Sequence, residues 1–85
     1  MVQISVVINT YNSSKFIGET IQTVLNQSFQ DFELIIVDDG SKDNTLEIVE
    51  TFKDPRIQVY PYANGGIAKS RNRGIKHAEG AYLSF

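Results

Sequence analysis

Two adjacent carboxylates, Asp38 and Asp39, close the apolar run Leu34–Val37. A carboxylate at the end of a buried strand can accept a hydrogen bond from a ring N–H, such as the imide of uracil, or from ribose hydroxyls. The plainer reading is a turn in which an Asp caps the amides of the next helix. Ser41 and Asp43 already offer that capping, so two further acids are more than a turn needs. Tyr11 lies in the loop after the run Gln3–Asn9. A flat aromatic beside a base-reading carboxylate could stack on the base. Packing across a neighbouring loop explains the ring equally well.

Asn64-Gly65-Gly66 precedes a helix start. Glycines let backbone amides approach an anion, and a helix N-terminus favours negative charge. The segment is neither a P-loop nor G-x-G-x-x-G, and a turn needing positive φ is the simpler local reading. Lys69, Arg73 and Lys76 share one helical face, which reads as solvated. Arg71 points elsewhere. With Asn72 it is the ligand-side candidate, and Arg71 is the one suited to a diphosphate contact. His77 sits near a helix end, where it would favour the helix dipole rather than act as a ligand. No nucleophile–base pair is present, and no residue set has metal-ligand spacing. After Asp54 there is no Asp, and the only Glu is Glu79.

These residues need a scaffold, and the hydrophobic pattern supplies one. Gln3–Asn9 reads as a buried strand, and Thr10–Ser14 as a turn with Asn12 or Ser13 capping the helix Lys15–Gln27. In that helix Ile17, Ile21, Val24 and Leu25 fall at helical spacing. Phe32–Val37 is a second strand, apolar enough for burial on both faces. Asn44 and Glu47 make a capping-box pair for a second helix, Thr45–Phe52, with Leu46 and Val49 inward. Asp54-Pro55 stops it, because the residue before proline avoids helical geometry. Ile57–Tyr60 is a short third strand, Ile67–Ala78 a third helix ending at Gly80, and Ala81–Phe85 the start of a fourth strand. The order β-α-β-α-β-α-β predicts an α/β fold, a Rossmann-like parallel sheet with flanking helices and right-handed crossovers. Ligands of such sheets bind outside the carboxyl ends of the strands, where Asn9–Asn12, Asp38–Ser41 and Tyr60–Gly66 lie.

The chain of 85 residues makes at most one domain, of ordinary globular composition. Ten acidic and eight basic residues give a formal charge of −2, which argues against a nucleic-acid partner. There is no cysteine, so thiolate metal sites and disulfides are excluded. No stretch approaches the roughly 20 apolar residues of a membrane span, and no targeting signal is visible.

The motifs in order, SVVINTYN, QSFQDFELIIVDDGSKDNT and NGGIAKSRNRGIKHAEGAYLSF, closely resemble the N-terminal part of glycosyltransferase family 2, whose members have a GT-A fold. The resemblance covers essentially the whole chain. It implies a nucleotide-diphosphate-sugar donor, with uridine the default base, and an inverting transfer to a saccharide or other hydroxyl acceptor in polysaccharide biosynthesis. It assigns Thr10, Tyr11 and Asn12 to the loop lining the nucleotide pocket. It gives the base contact to Asp39, with Asp38 nearby, and places Asn64, Gly65 and Arg71 beside the diphosphate. Asn9 stands where the family commonly has Pro, and Ser70 where it commonly has Ala. In the family the strand matching AYLSF runs into an Asp-x-Asp motif that holds Mg²⁺ or Mn²⁺, and a later acid serves as general base. Neither is in the chain, so residues 1–85 are expected to form one incomplete domain that recognises the nucleotide but does not catalyse transfer. An unfinished fourth strand would leave an aggregation-prone sheet edge. A cytoplasmic setting, at the inner face of a membrane in the parent protein, is the expected location.

Other doubly wound modules fit less well. A dinucleotide dehydrogenase would carry a glycine fingerprint where TYNSS stands. A response-regulator receiver would have its acidic pair after strand one, not strand two. The alternative from another class is a non-catalytic nucleotide-binding α/β module.

Overall fold

A computed structural model describes residues 4–27, 31–63, 72–73, 76–78 and 80–84. Strand β1 (Ile4–Thr10) leads through helix α1 (Ile17–Leu25) to strand β2 (Phe32–Asp39). Helix α2 (Thr45–Glu50), strand β3 (Ile57–Tyr62) and strand β4 (Ala81–Ser84) follow. Between β3 and β4, Asn72, Arg73, Lys76 and His77 have helical backbone. Ala78, the expected end of the third helix, is not helical, and residues 67–71, 74 and 75 of that expected helix lie outside the described residues.

The four strands are parallel in the order β3-β2-β1-β4. The chain therefore builds outward from β1 to β3, then returns to the other side of β1. The switch point falls between β1 and β4, and crevices at such points take ligands at the strands' carboxyl ends. All eight residues of β2 are buried, as a strand covered on both faces must be.

Alternation along the strands makes two cores. On the α1/α2 side Val6, Ile8, Leu34 and Ile36 pack against Ile17, Ile21, Val24 and Val49. On the other side Val7, Ile35 and Val37 form a smaller cluster with Tyr60, Tyr62 and Ala78. A polar ladder extends that second face. The Tyr60 hydroxyl donates to Gln58 Oε1 (2.7 Å), and Gln58 Nε2 donates to Glu33 Oε1 (2.7 Å). Ser5 Oγ donates to Glu33 Oε2 (2.6 Å) and accepts the Gly80 N–H (2.7 Å), tying the approach to β4 onto β1.

Helix ends depart from expectation. The N-cap of α1 is Phe16, which makes no side-chain cap. The Ser13 carbonyl accepts the N–H groups of Phe16 and Ile17 instead, both at 2.9 Å. Asn12 turns its N–H and Oδ1 to the β2–α2 loop, and the Ser13 hydroxyl stays in its own loop, bonded to the Tyr11 backbone. Asn44 makes no side-chain cap on α2, so the Asn44–Glu47 box does not form. Asp43 does the capping, accepting the Thr45 N–H (3.0 Å) and the Thr45 hydroxyl. Strand β3 continues two residues past Tyr60, because Pro61 lies on an edge strand where a missing N–H costs little. Among the described residues no helix is long and apolar enough to cross a membrane.

Candidate functional site

The carboxyl ends of β1 and β2 are locked together by one carboxylate. Asp38 is 1% exposed. It accepts the Thr10 hydroxyl (2.7 Å), the Ser41 N–H (2.9 Å) and the Ser41 hydroxyl. Gly40 has φ 74, a left-handed conformation that brings Ser41 back onto Asp38 at no steric cost. The Asp-Asp-Gly-Ser run is thus a self-closing turn whose first acid works inside the protein.

A second set of bonds clamps the two loops side by side. Asn12 donates its N–H to Ser41 Oγ (2.9 Å), and its Oδ1 accepts the Lys42 N–H (2.8 Å). Its φ of 49 is left-handed, a conformation that Asn tolerates better than most residues. The Ser13 N–H donates to Thr45 Oγ1 (2.9 Å), and the Ser14 N–H to Asp43 (3.2 Å). The Thr45 hydroxyl, followed by the Ser14 side chain and then the amides of Thr45 and Ser14, holds the Asp43 carboxyl down to about 2 against the opposing effect of burial.

Asp39 has a different setting. It points to the opposite face from Asp38, level with Tyr62 of β3. It is 6% exposed, and Arg73 Nη1 lies 3.6 Å from its Oδ1. The Arg73 guanidinium carbon sits 4.2 Å from the centroid of the Tyr62 ring, a cation–π arrangement. The Tyr62 hydroxyl is hydrogen-bonded to His77 Nε2 (2.8 Å), and the His77 ring stacks on Tyr60 at 3.6 Å between centroids. His77 thus packs on two tyrosines.

The predicted site residues thus fall into three groups. Thr10, Asn12 and Asp38 build the loops through bonds within the protein. Tyr11, 48% exposed, and Asp39 leave the sheet at one level, since Thr10 pairs with Asp38 in register. Asn64, Gly65 and Arg71 lie outside the described residues. Arg73 is a residue the sequence reading missed. Its place among Lys69 and Lys76 suggested a solvated face, yet its side chain is only 24% exposed. The available signal was the i, i+4 pair Arg73 and His77 facing the aromatic end of β3.

Asn9 Oδ1 is buried and has no hydrogen-bond partner among the described residues. A pocket of about 180 Å³ on the α1 side is lined by Ile8, Thr10, Phe16, Ile17 and Thr20. It is below the ~300 Å³ at which small-molecule sites begin, and lies across the sheet from Asp39. Among the described residues no three His, Cys, Asp or Glu side chains converge where they could hold a metal ion. They do not fit a metal centre.

Known proteins resemble the chain in sequence and fold. The chain is 43% identical over 84 residues to the uncharacterized glycosyltransferase EpsJ of Bacillus subtilis, covering 96% of this chain and 24% of EpsJ. A crystal structure of S. aureus TarS (residues 1–349) in complex with UDP-GlcNAc superposes with a TM-score of 0.88 at 37% identity, covering 98% of this chain and 26% of that one. The mannosyltransferase PcManGT of Pyrobaculum calidifontis, in complex with GDP-Man and Mn²⁺, superposes with a TM-score of 0.83 at 26% identity, covering 91% and 24%. The chain spans about a quarter of the length of these relatives. Its four strands and flanking helices match part of their GT-A fold. The sequence profile of Glycosyl transferase family 2 matches residues 5–85, and the chain belongs to that family.

Proposed function

We propose that this chain is the base- and ribose-recognising part of an inverting glycosyltransferase that uses a UDP-sugar. The observation that carries the reading is Asp39, an almost buried carboxylate at the carboxyl end of β2, level with the exposed ring of Tyr11. An ionised carboxylate only accepts hydrogen bonds. Uracil offers it the N3–H donor, whereas cytosine presents a lone pair at N3 and is repelled. Tyr11 supplies a flat face for the base, as aromatic platforms do elsewhere. The UDP-GlcNAc complex of TarS supports uridine over other bases.

In the reaction proposed, an acceptor hydroxyl oxygen attacks the anomeric carbon as the bond to the diphosphate breaks. The hydroxyl proton passes to a base, and configuration inverts. The described residues contribute donor orientation, which lowers the barrier by fixing the reacting geometry. Among the described residues none is assigned as that base, and none is assigned to a divalent cation such as the Mn²⁺ bound to PcManGT.

Calorimetric titration with UDP, CDP and GDP tests the reading. UDP is expected to bind more tightly than CDP, and Asp39→Ala to remove that preference. No binding of UDP, or equal binding of UDP and CDP, would refute it. Tighter binding of GDP would overturn the base assignment alone.

A further inference from the structure

We propose that Arg73 is a positioning residue of the nucleotide site, holding the Asp39 carboxylate in place from the helical segment between β3 and β4. The inference rests on the reading of Asp39 as the base-contacting acid.

Three contacts fix the guanidinium. Its Nη1 lies 3.6 Å from Asp39 Oδ1 and 3.5 Å from the Ala63 carbonyl oxygen, and its carbon lies 4.2 Å from the Tyr62 ring centroid. Asp39 and Tyr62 are partners in the sheet, so the carboxylate and the ring that carries its counter-ion leave the strands side by side. Tyr62 is itself held, because its hydroxyl is bonded to His77 Nε2 at 2.8 Å, and His77 is stacked on Tyr60. Arg73 and His77 are four residues apart and so face the same way on a helix. One grips the face of Tyr62 and the other its hydroxyl.

This differs from a loose surface pair. An exposed Arg–Asp contact at this distance leaves both side chains free to wander. Here the guanidinium is confined by an aromatic face, a geometry that suits Arg and not Lys. The carboxylate lies on a buried strand. Both partners are pre-organised before any ligand arrives, and a fixed acceptor discriminates donors better than a mobile one.

The test is a double-mutant cycle on UDP affinity, with CDP as the reference ligand. Arg73→Ala is expected to weaken UDP about fivefold, to leave CDP nearly unchanged, and so to narrow the preference between them. Arg73→Lys keeps the charge and is expected to recover part of the loss. In an Asp39→Asn background Arg73→Ala is expected to change UDP affinity less than twofold. General loosening of the fold would weaken both nucleotides alike. Unchanged UDP affinity in Arg73→Ala, or the same weakening with and without the Asp39 carboxylate, overturns the proposal. Arg73→Gln, closer in length, serves the same comparison if the alanine variant does not fold. A wild-type chain that fails to bind UDP sinks the nucleotide reading and this inference with it. Binding that depends on Asp39 but not on Arg73 sinks the inference alone.

Discussion

Replacing Asp38 and Asp39 one at a time by Asn separates a structural acid from a ligand-facing one. Asp38 is 1% exposed and accepts three hydrogen bonds, from the Thr10 hydroxyl and from the N–H and hydroxyl of Ser41. Asn keeps the shape and one acceptor oxygen. Its amide group must face a donor in either orientation. Losing one bond to a charged acceptor costs about 1.5–3 kcal/mol, and a buried donor left unpaired about 1–3 kcal/mol. Relief from burying a charge offsets part of this, so the net loss is about 3 kcal/mol. An 85-residue domain holds about 4–13 kcal/mol in all. With a urea slope of about 1 kcal/mol/M for a domain of this size, the midpoint falls by about 3 M. Asp39→Asn keeps the shape and removes one charge of an ion pair that is 3.6 Å long, too long for a charge-assisted hydrogen bond, so the loss is about 1 kcal/mol, below the about 1.5–3 kcal/mol of such a bond. Its midpoint falls by about 1 M. Urea unfolding followed by circular dichroism measures both, with UDP titration on each variant kept folded. Asp38→Asn is expected to be the less stable protein, Asp39→Asn the weaker binder. Equal shifts, or a larger shift for Asp39→Asn, would refute the division of labour between the two acids.

Acid should weaken the loop clamp through Asp43. Its carboxyl is lowered from the ordinary 3.8 to about 2 by the Thr45 hydroxyl, then by the Ser14 side chain and the Thr45 and Ser14 amides. A folded value below the unfolded one means stability that is present above pH 3.8 and lost as the pH falls towards 2. Asp54, lowered to about 2 by the Arg56 side chain and amide, titrates in the same window. Urea midpoints measured from pH 5 to pH 2 should therefore fall less steeply for Asp43→Asn than for the wild type, and parallel curves would show that the clamp is not carrying the effect. Asn12→Ala removes the acceptor of the Lys42 N–H and puts a residue without a polar side chain at φ 49. A destabilisation of about 1–2 kcal/mol is expected in the same urea assay.

Much of the fold was legible because one pattern decides it. Runs of β-branched residues alternating with helical spacing specify parallel strands joined by helices, and the four strands form where the runs are. Helix ends were less legible. Asn12, Ser13 and Asn44 are all good caps by type, but Asn12 bonds the β2–α2 loop, the Ser13 hydroxyl bonds Tyr11, and Asn44 makes no side-chain cap. Strand β3 outran its expected end because only the sheet order shows that Pro61 lies on an edge.

The site divides in the same way. The sequence alone determined that two acids, a tyrosine and an asparagine gather at the carboxyl ends of β1 and β2, because strand polarity and crossover length leave no other place for them. It could not decide which acid faces which way. That follows from the pleat, which turns Asp38 towards the α1/α2 side and Asp39 towards Tyr62. Nor could it find Arg73, whose spacing matches a solvated face. Only tertiary packing brings Arg73 over Tyr62 and beside Asp39, because contacts between a helical segment and a strand depend on how the two dock, and no local pattern records that docking.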